Sequence, residues 1–400
     1  MRLRLRPITT LHLKAGDILY SEGDRATDVY IIASGKMAVY QGEKMLGDIP
    51  DIRNPGDILG ELAVLTGLPR QVNTCAFTDA TLFKISSCQI EHEFTLIDPL
   101  LRACIETSIT YNQQLLSAQK FISDTRPQKL QAAQILEKVE FEVDLIDSID
   151  AGDFSMVYQP IVLLNSAEVV GFEALMRWAH PVRGFVSPDI FIKAAERLGV
   201  IGTLTDFALA QSCKTLKKLQ KQNGGKQRFF ASVNISGHDI GRKGFADNLA
   251  FILDQNDVAP EQIKLEVTET AIIPRTQTVI DNLRAFRDLG CGLSIDDFGT
   301  GYSNLAYLKT LPLSTLKIDR AFSADAHKNR VSGSIVSMLL NLGADLNIDI
   351  IAEGVETDED VRTLSDLGCR LAQGYFFYRP STQDVLLNLL SPNDDLTGAA

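Results

Sequence analysis

The stretches SMVYQPIV (155–162) and VVGFEAL (169–175) are separated by six residues, LLNSAE. So short a gap closes a hairpin but cannot hold the crossover helix that two neighbouring parallel strands need. Beyond it the spacing changes. Counting VVGFEAL, seven short apolar runs between Gly171 and Phe377 each carry a polar side chain: FFASVNI, IKLEV, GLSIDD, TLKI, DIIAEG and QGYFF follow. Those side chains are Glu173, Asn234, Glu266, Asp296 beside Asp297, Lys317, Glu353 and Gln373, at intervals of 61, 32, 30, 21, 36 and 20 residues. Such intervals leave room for a helix and loops after nearly every strand. The pattern predicts a modified (β/α)8 TIM barrel in which one strand runs antiparallel, and polar groups at the carboxyl ends of barrel strands meet at one mouth.

A single Asp or Glu after a strand is ordinarily a helix cap or half of an ion pair. Five carboxylates, an amide and a lysine aimed at one point are a different case, because like charges repel unless cations lie among them. Oxygen donors without Cys or His select hard ions, so Mg²⁺ or Mn²⁺ is expected rather than zinc.

Eight motifs then follow in order: YQPIV (158–162), EALMRWAHP (173–181), VNIS (233–236), EVTET (266–270), DDFGTGYSNL (296–305), KIDR (317–320), AEGVE (352–356) and QGYFF (373–377). From about Leu145 to Leu390 the chain resembles the EAL family of cyclic di-GMP phosphodiesterases, named for the tripeptide standing here as Glu173, Ala174 and Leu175. The resemblance implies hydrolysis of cyclic di-GMP to linear pGpG with two metal ions. One ion would be held by Glu173, Asn234, Glu266 and Asp296, the other by Asp296, Asp297 and Glu353. It also implies that Lys317 orients water or stabilises charge on phosphorus, that Glu353 serves as ligand, base or both, and that Glu269 anchors the loop from Asp296 to Leu305. Gln159, Leu175, Arg177, Asp319, Glu356 and Gln373 would line the substrate. Tyr378 stands where the family usually has a small residue, a change expected to alter packing.

Four hundred residues exceed the size at which one hydrophobic core stops growing, so two domains are expected. No apolar stretch approaches the roughly 20 residues that span a bilayer, and MRLRLRPITT is basic without an h-region for secretion. A cytoplasmic protein without a membrane partner is the expectation. Cysteines 75, 88, 104, 213, 291 and 369 show no paired metal spacing and read mostly as reduced core thiols. A net charge of −12 argues against nonspecific nucleic-acid binding.

The front of the chain alternates short apolar runs (DILYSEG, DVYIIASG, KMAVYQG, ATLFKIS) with Gly and Asp, which predicts a small antiparallel β roll. Within PGDILGELAVLTGLPRQVNT (55–74), Gly60, Glu61, Leu62 and Ala63 open a short helix whose free amides suit a phosphate, and Arg70 suits the same anion. Residues 8 to 122 resemble a cyclic-nucleotide-binding domain of the catabolite-regulator kind, with Gly16, Asp17, Gly23, Asp24, Tyr30, Gly35, Gly56 and Asp57 in its usual turns. The resemblance implies an allosteric cyclic mononucleotide, cAMP in preference to cGMP, with Glu61 on the ribose. Gln71, Val72 and Asn73 depart from the usual residues beside Arg70.

Domain bounds are expected at 1–97 for the β roll, 98–144 for a helical connector and 145–400 for the barrel. Leu101, Cys104, Ser108, Tyr111, Leu115, Ala118 and Ile122 form a heptad-like stripe, read as a homodimer contact. Two competing readings are an inactive EAL receptor, which would lack metal ligands, and a DNA-binding regulator, for which no helix-turn-helix follows the sensor.

Overall fold

A computed structural model describes residues 8–40, 51–90, 129–225, 228–268, 277–299 and 311–390. Glu269, residues 300–305 and the stripe from 101 to 122 lie outside the described residues. The chain divides into two compact units, Met1–Ala151 and Gly152–Ala400.

The first unit contains β1 (Ile8–Leu13), β2 (Ile18–Tyr20), β3 (Asp28–Ser34), β4 (Met37–Tyr40), β5 (Asp51–Arg53), β6 (Ile58–Leu59), β7 (Asn73–Ala76) and β8 (Ala80–Ser86). They form two antiparallel four-stranded sheets, ordered β1-β8-β3-β6 and β2-β7-β4-β5. Ile32, Met37 and Leu82 are fully buried between them. One turn device occurs three times. Gly16, Gly23 and Gly56 have φ of 92°, 92° and 89°. The carboxylate of the Asp after each accepts the N–H three residues earlier: Asp17 from Lys14 at 2.7 Å, Asp24 from Ser21 at 2.8 Å and Asp57 from Asn54 at 2.8 Å. Glycine takes the left-handed conformation and Asp closes the turn, which is why Gly-Asp recurs. A helix, Lys129–Ala151, ends the unit.

The second unit contains β9 (Phe154–Leu163), β10 (Val169–His180), β11 (Gly184–Val186), β12 (Phe230–Asn234), β13 (Ile263–Thr268), β14 (Gly292–Phe298), β15 (Thr315–Ile318), β16 (Asp349–Ala352) and β17 (Leu371–Ala372). Strands β10, β12, β13, β14, β15, β16 and β17 pair in parallel, in that order. β9 closes the ring, antiparallel to both β10 and β17. The result is the eight-stranded barrel with one antiparallel strand that the six-residue gap predicts. β11 is an extra strand, antiparallel to the far end of β10.

Helices cover the outside. Ile201–Gln222 buries Leu209, Cys213, Leu216 and Leu219, spaced by three or four, in the barrel's core cluster. Asp239 and Asp360 complete capping boxes with Ser236 and Thr357. Cys75, Cys213, Cys291 and Cys369 are buried free thiols and Cys88 is exposed. Burial raises the Cys213 and Cys291 thiols to about 12. Among the described residues no helix is long and apolar enough to cross a membrane.

Candidate active site

The hairpin sets Glu173 of β10 opposite Gln159 of β9, and in-register parallel pairing sets Asn234 beside Glu266 and Thr268 beside Asp296. Alternation along each strand turns these carboxyl-end side chains into the barrel mouth. At the centre stands Lys317, 1% exposed, with its Nζ 3.2 Å from Glu173, 3.0 Å from Glu266, 3.0 Å from Asp296 and 2.6 Å from Glu353. Glu173 also accepts hydrogen bonds from Asn234 Nδ2 at 2.9 Å and Gln373 Nε2 at 2.9 Å. Gln373 donates to Gln159 Oε1 at 3.1 Å, and Gln159 donates to the Tyr378 carbonyl at 3.1 Å.

Asp296 and Asp297 are neighbours on β14, so simple alternation would turn Asp297 outward. Two features oppose this. Asp297 has φ 52°, and the β14–β15 register shifts between Ile295 and Phe298. A bulge of this kind re-aims a side chain. Two carboxylate sets result, Glu173–Glu266–Asp296 and Asp296–Asp297–Glu353, each with ligand oxygens within 4.8 Å of one another. Asp296 belongs to both.

Electrostatics separate these carboxyls. Burial pushes Glu173 up, but the Lys317 charge and the bonds from Gln373, Asn234 and Lys317 leave it below the usual carboxylate range. Burial drives Glu266 well above that range; Lys317 opposes this, and Glu173, Asp296 and Glu353 add to it. Glu353 is raised to about 8 by burial, against Lys317, and further by Asp296 and Glu173. Asp297 is raised to about 6 by burial and by Asp296 and Asp319. Burial disfavours the Lys317 ammonium, yet its four carboxylates raise its pKa well above normal. A single lysine therefore serves a cluster with more acidic groups than one cation balances. Glu266 Oε1 has no hydrogen-bond partner among the described residues. An all-oxygen donor set with more carboxylates than Lys317 balances fits hard divalent cations.

The remaining expected residues line the rim. Leu175 and Arg177 follow Glu173 on the same face of β10 and are half-buried, with Arg177 Nη1 donating to the Met176 carbonyl at 2.9 Å. Burial lowers the Arg177 pKa. Asp319 caps the short helix Arg320–Ser323 by accepting from Ala321 N at 2.7 Å. Glu356 pairs with Arg320 at 3.0 Å. Arg320, the last residue of KIDR, and the carbonyl of Tyr378, the residue after QGYFF, were given no site role from the sequence.

In the first unit, Gly60 at φ 80° precedes the helix Glu61–Thr66. A Cβ on Gly60 would meet Arg70 Nη1 at 2.1 Å, so glycine is required for the guanidinium to approach. Arg70 is 4% exposed; Nη1 donates to the Gly60 carbonyl at 2.8 Å and Nη2 to the Asp28 carbonyl at 2.6 Å. Its guanidinium lies 4.3 Å from the Tyr20 ring centroid and 5.9 Å from that of Tyr30. The sequence reading missed Tyr20, since a strand-end aromatic carries no local signal of a cationic partner. Ala63 is buried, Leu62 half-buried, and Glu61 and Gln71 exposed, while Asn73 Oδ1 accepts from Glu22 N at 2.8 Å.

Comparison with known proteins agrees with this geometry. Residues 142–380 match the EAL domain and residues 10–94 the cyclic nucleotide-binding domain. The cyclic di-GMP phosphodiesterase NbdA of Pseudomonas aeruginosa is 38% identical over 244 residues, 61% of this chain and 31% of NbdA. RocR, a cyclic di-GMP phosphodiesterase of the same organism, is 34% identical over 62% of each chain. The first curated relatives are longer, and the chain spans about a third of their length (31%, 36% and 37%). Among solved structures, the EAL enzyme Bd1971 in its cAMP-bound form is 31% identical with a TM-score of 0.64, covering 96% of this chain and 100% of that one. Bd1971 is also solved with cAMP and cyclic di-GMP together, and with cGMP. The barrel with its carboxylate mouth, the β roll with its Gly60–Arg70 cassette and these matches assign the chain to the EAL family, with a cyclic nucleotide-binding domain ahead of the EAL domain.

Proposed function

We propose that this protein hydrolyses cyclic di-GMP to linear pGpG, using two Mg²⁺ or Mn²⁺ ions, under the control of a cyclic mononucleotide bound to its first unit. The observation that carries the reading is the convergence of Glu173, Glu266, Asp296, Asp297 and Glu353 around Lys317, with Asp296 common to both carboxylate sets. The relatives named as cyclic di-GMP phosphodiesterases and the Bd1971 complex with cyclic di-GMP support the substrate. Glu173, Asn234, Glu266 and Asp296 would hold one ion, and Asp296, Asp297 and Glu353 the other. Ions held there would lower the pKa of water and neutralise phosphate charge.

Water oxygen attacks phosphorus, the P–O3′ bond breaks, and the proton given up by water ends on the leaving 3′ oxygen. In this reading Lys317 stays protonated and stabilises charge gathering on the phosphoryl oxygens. We assign Glu353, which belongs to the second carboxylate set, to accept the proton from water, as ligand, base or both. Gln373 and Asn234 orient Glu173. Arg177 takes a phosphate of the substrate, and Gln159, Leu175, Asp319 and Glu356 line the dinucleotide. We assign Glu269 to anchoring the loop after β14.

We further propose that cAMP, rather than cGMP, binds through the Gly60–Ala63 amides, Glu61, Arg70, Gln71 and Asn73. Residues 98–144 would connect the two units and dimerise the chain. Purified protein incubated with cyclic di-GMP and Mn²⁺ tests the central reading by chromatography of the products. pGpG is expected; binding of intact cyclic di-GMP without turnover would make the protein a receptor instead.

A further inference from the structure

Residues two apart on a strand share a face, so the barrel layer beneath the mouth lies two positions before each carboxyl-end residue on the parallel strands. One side of that layer is apolar: Ile161, Ile351 and Leu371 pack together, none more than 4% exposed. The other side, carried by β12 to β15, is Ser232, Lys264, Ser294 and Thr315. Register ties it together, with Ser232 beside Lys264, Glu266 beside Ser294, and Ser294 beside Thr315.

Ser232, Ser294 and Glu266 are each 0% exposed. Ser232 Oγ, Ser294 Oγ and Glu266 Oε1 have no hydrogen-bond partner among the described residues. An unmet buried hydroxyl loses its hydration without replacement, and an unmet carboxylate oxygen loses more. These three atoms belong to the consecutive strands β12, β13 and β14, and Ser294 stands directly beside Glu266 in register. Lys264 is committed elsewhere: its Nζ donates to Thr315 Oγ1 at 2.8 Å, lies 3.7 Å from Asp349 and sits 4.2 Å from the Phe230 ring centroid. Glu266 Oε2 is taken by Lys317. A ligand able to exchange hydrogen bonds with a carboxyl oxygen and with hydroxyls fits this set, and buried water characteristically makes two to four such bonds.

We propose that this polar half-layer is a binding site for ordered water that links Glu266 Oε1 to the Ser232 and Ser294 hydroxyls, and that the two serines are positioning residues for Glu266. The carboxylate is then held from above by Lys317 and from below through water. Lys264 and Thr315 form the floor. The effect on metal rests on the proposed metal site; the water site itself rests only on the buried atoms.

The test is a crystal structure of the full chain with Mn²⁺, at a resolution showing ordered water, for the wild type and S232A/S294A, together with Mn²⁺ titration calorimetry of both. Density is expected within hydrogen-bond distance of Glu266 Oε1 and at least one serine, and it is lost in the double variant. Mn²⁺ affinity should fall roughly tenfold, as for other groups that orient a metal ligand from behind, with the melting temperature of the metal-free protein little changed. Serine hydroxyls turned onto backbone carbonyls, or a space filled by side chain, would overturn the water site. Water present with unaltered Mn²⁺ affinity in the variant would overturn the positioning role. Each single Ser→Ala variant removes one oxygen and carries the same readouts should the pair fold poorly. Absence of cyclic di-GMP hydrolysis would count against the proposed reaction but leave these measurements intact.

Discussion

Lys317 is the residue on which the mouth turns. It is buried with four carboxylates around it, and it is the only lysine or arginine paired with that cluster among the described residues. Removing one partner from a buried charge group typically costs about 3–5 kcal/mol, because the remaining charges are left uncompensated. Lys317→Met should therefore destabilise the metal-free protein by about that amount in urea unfolding, and Mn²⁺ should recover part of the loss. A variant as stable as the wild type without metal would mean that Lys317 does not balance the cluster. The carboxyls also fix a pH dependence. Glu353 is raised to about 8 and Asp297 to about 6, so both bind protons in the folded, metal-free state that the unfolded chain releases at lower pH. Their protonated contribution to stability is full below about pH 4 and declines as pH rises through 6 and then 8. Metal competes with the same protons, so Mn²⁺ affinity should climb between pH 6 and 8. Calorimetry across that range checks this, and a flat affinity would contradict it.

At the scale of elements, short connections and local twists place the chemistry. The turn after β16 illustrates this. Gly354 has φ 65°, and a Cβ there would come within 2.2 Å of Arg320 Cγ and 2.6 Å of Arg320 Cβ. The same turn is held by Ser323 Oγ donating to the Glu353 carbonyl and by Asp360 accepting from Glu356 N at 3.1 Å and Thr357 N at 2.9 Å. Gly354→Ala should cost at least about 1–2 kcal/mol from the left-handed backbone alone. It should also lower kcat severalfold by displacing Glu353; unfolding curves and steady-state rates measured together show whether both occur. The hairpin of β9 and β10 was legible in the sequence, because six residues cannot contain a crossover helix. The order of carboxyl-end residues was legible too, because each ends an apolar run of strand length. The aim of Asp297 was not: a bulge depends on the register with β15, which no local pattern encodes. The cradle of Arg70 was equally hidden, since it draws on Tyr20, Asp28 and Gly60 from separate strands and turns. The extra strand β11 is three residues long, too short for a periodic signal.

At the scale of the whole molecule, a domain matching cyclic nucleotide binders precedes an EAL domain in one chain. Arg70 already spends two nitrogens on carbonyls and stacks on Tyr20, so an arriving cyclic phosphate would have to compete for or share a preorganised guanidinium. Arg70→Ala should remove any change of hydrolysis rate produced by saturating cAMP; a variant that still responds would place the effector elsewhere. The central claim, metal-dependent hydrolysis at the carboxylate mouth, is tested most directly by following cyclic di-GMP conversion by the full chain with Mn²⁺, with excess chelator, and with Glu173→Ala. The account predicts pGpG with Mn²⁺ and near-complete loss of turnover in the other two. Full activity in chelator, or in Glu173→Ala, would contradict it.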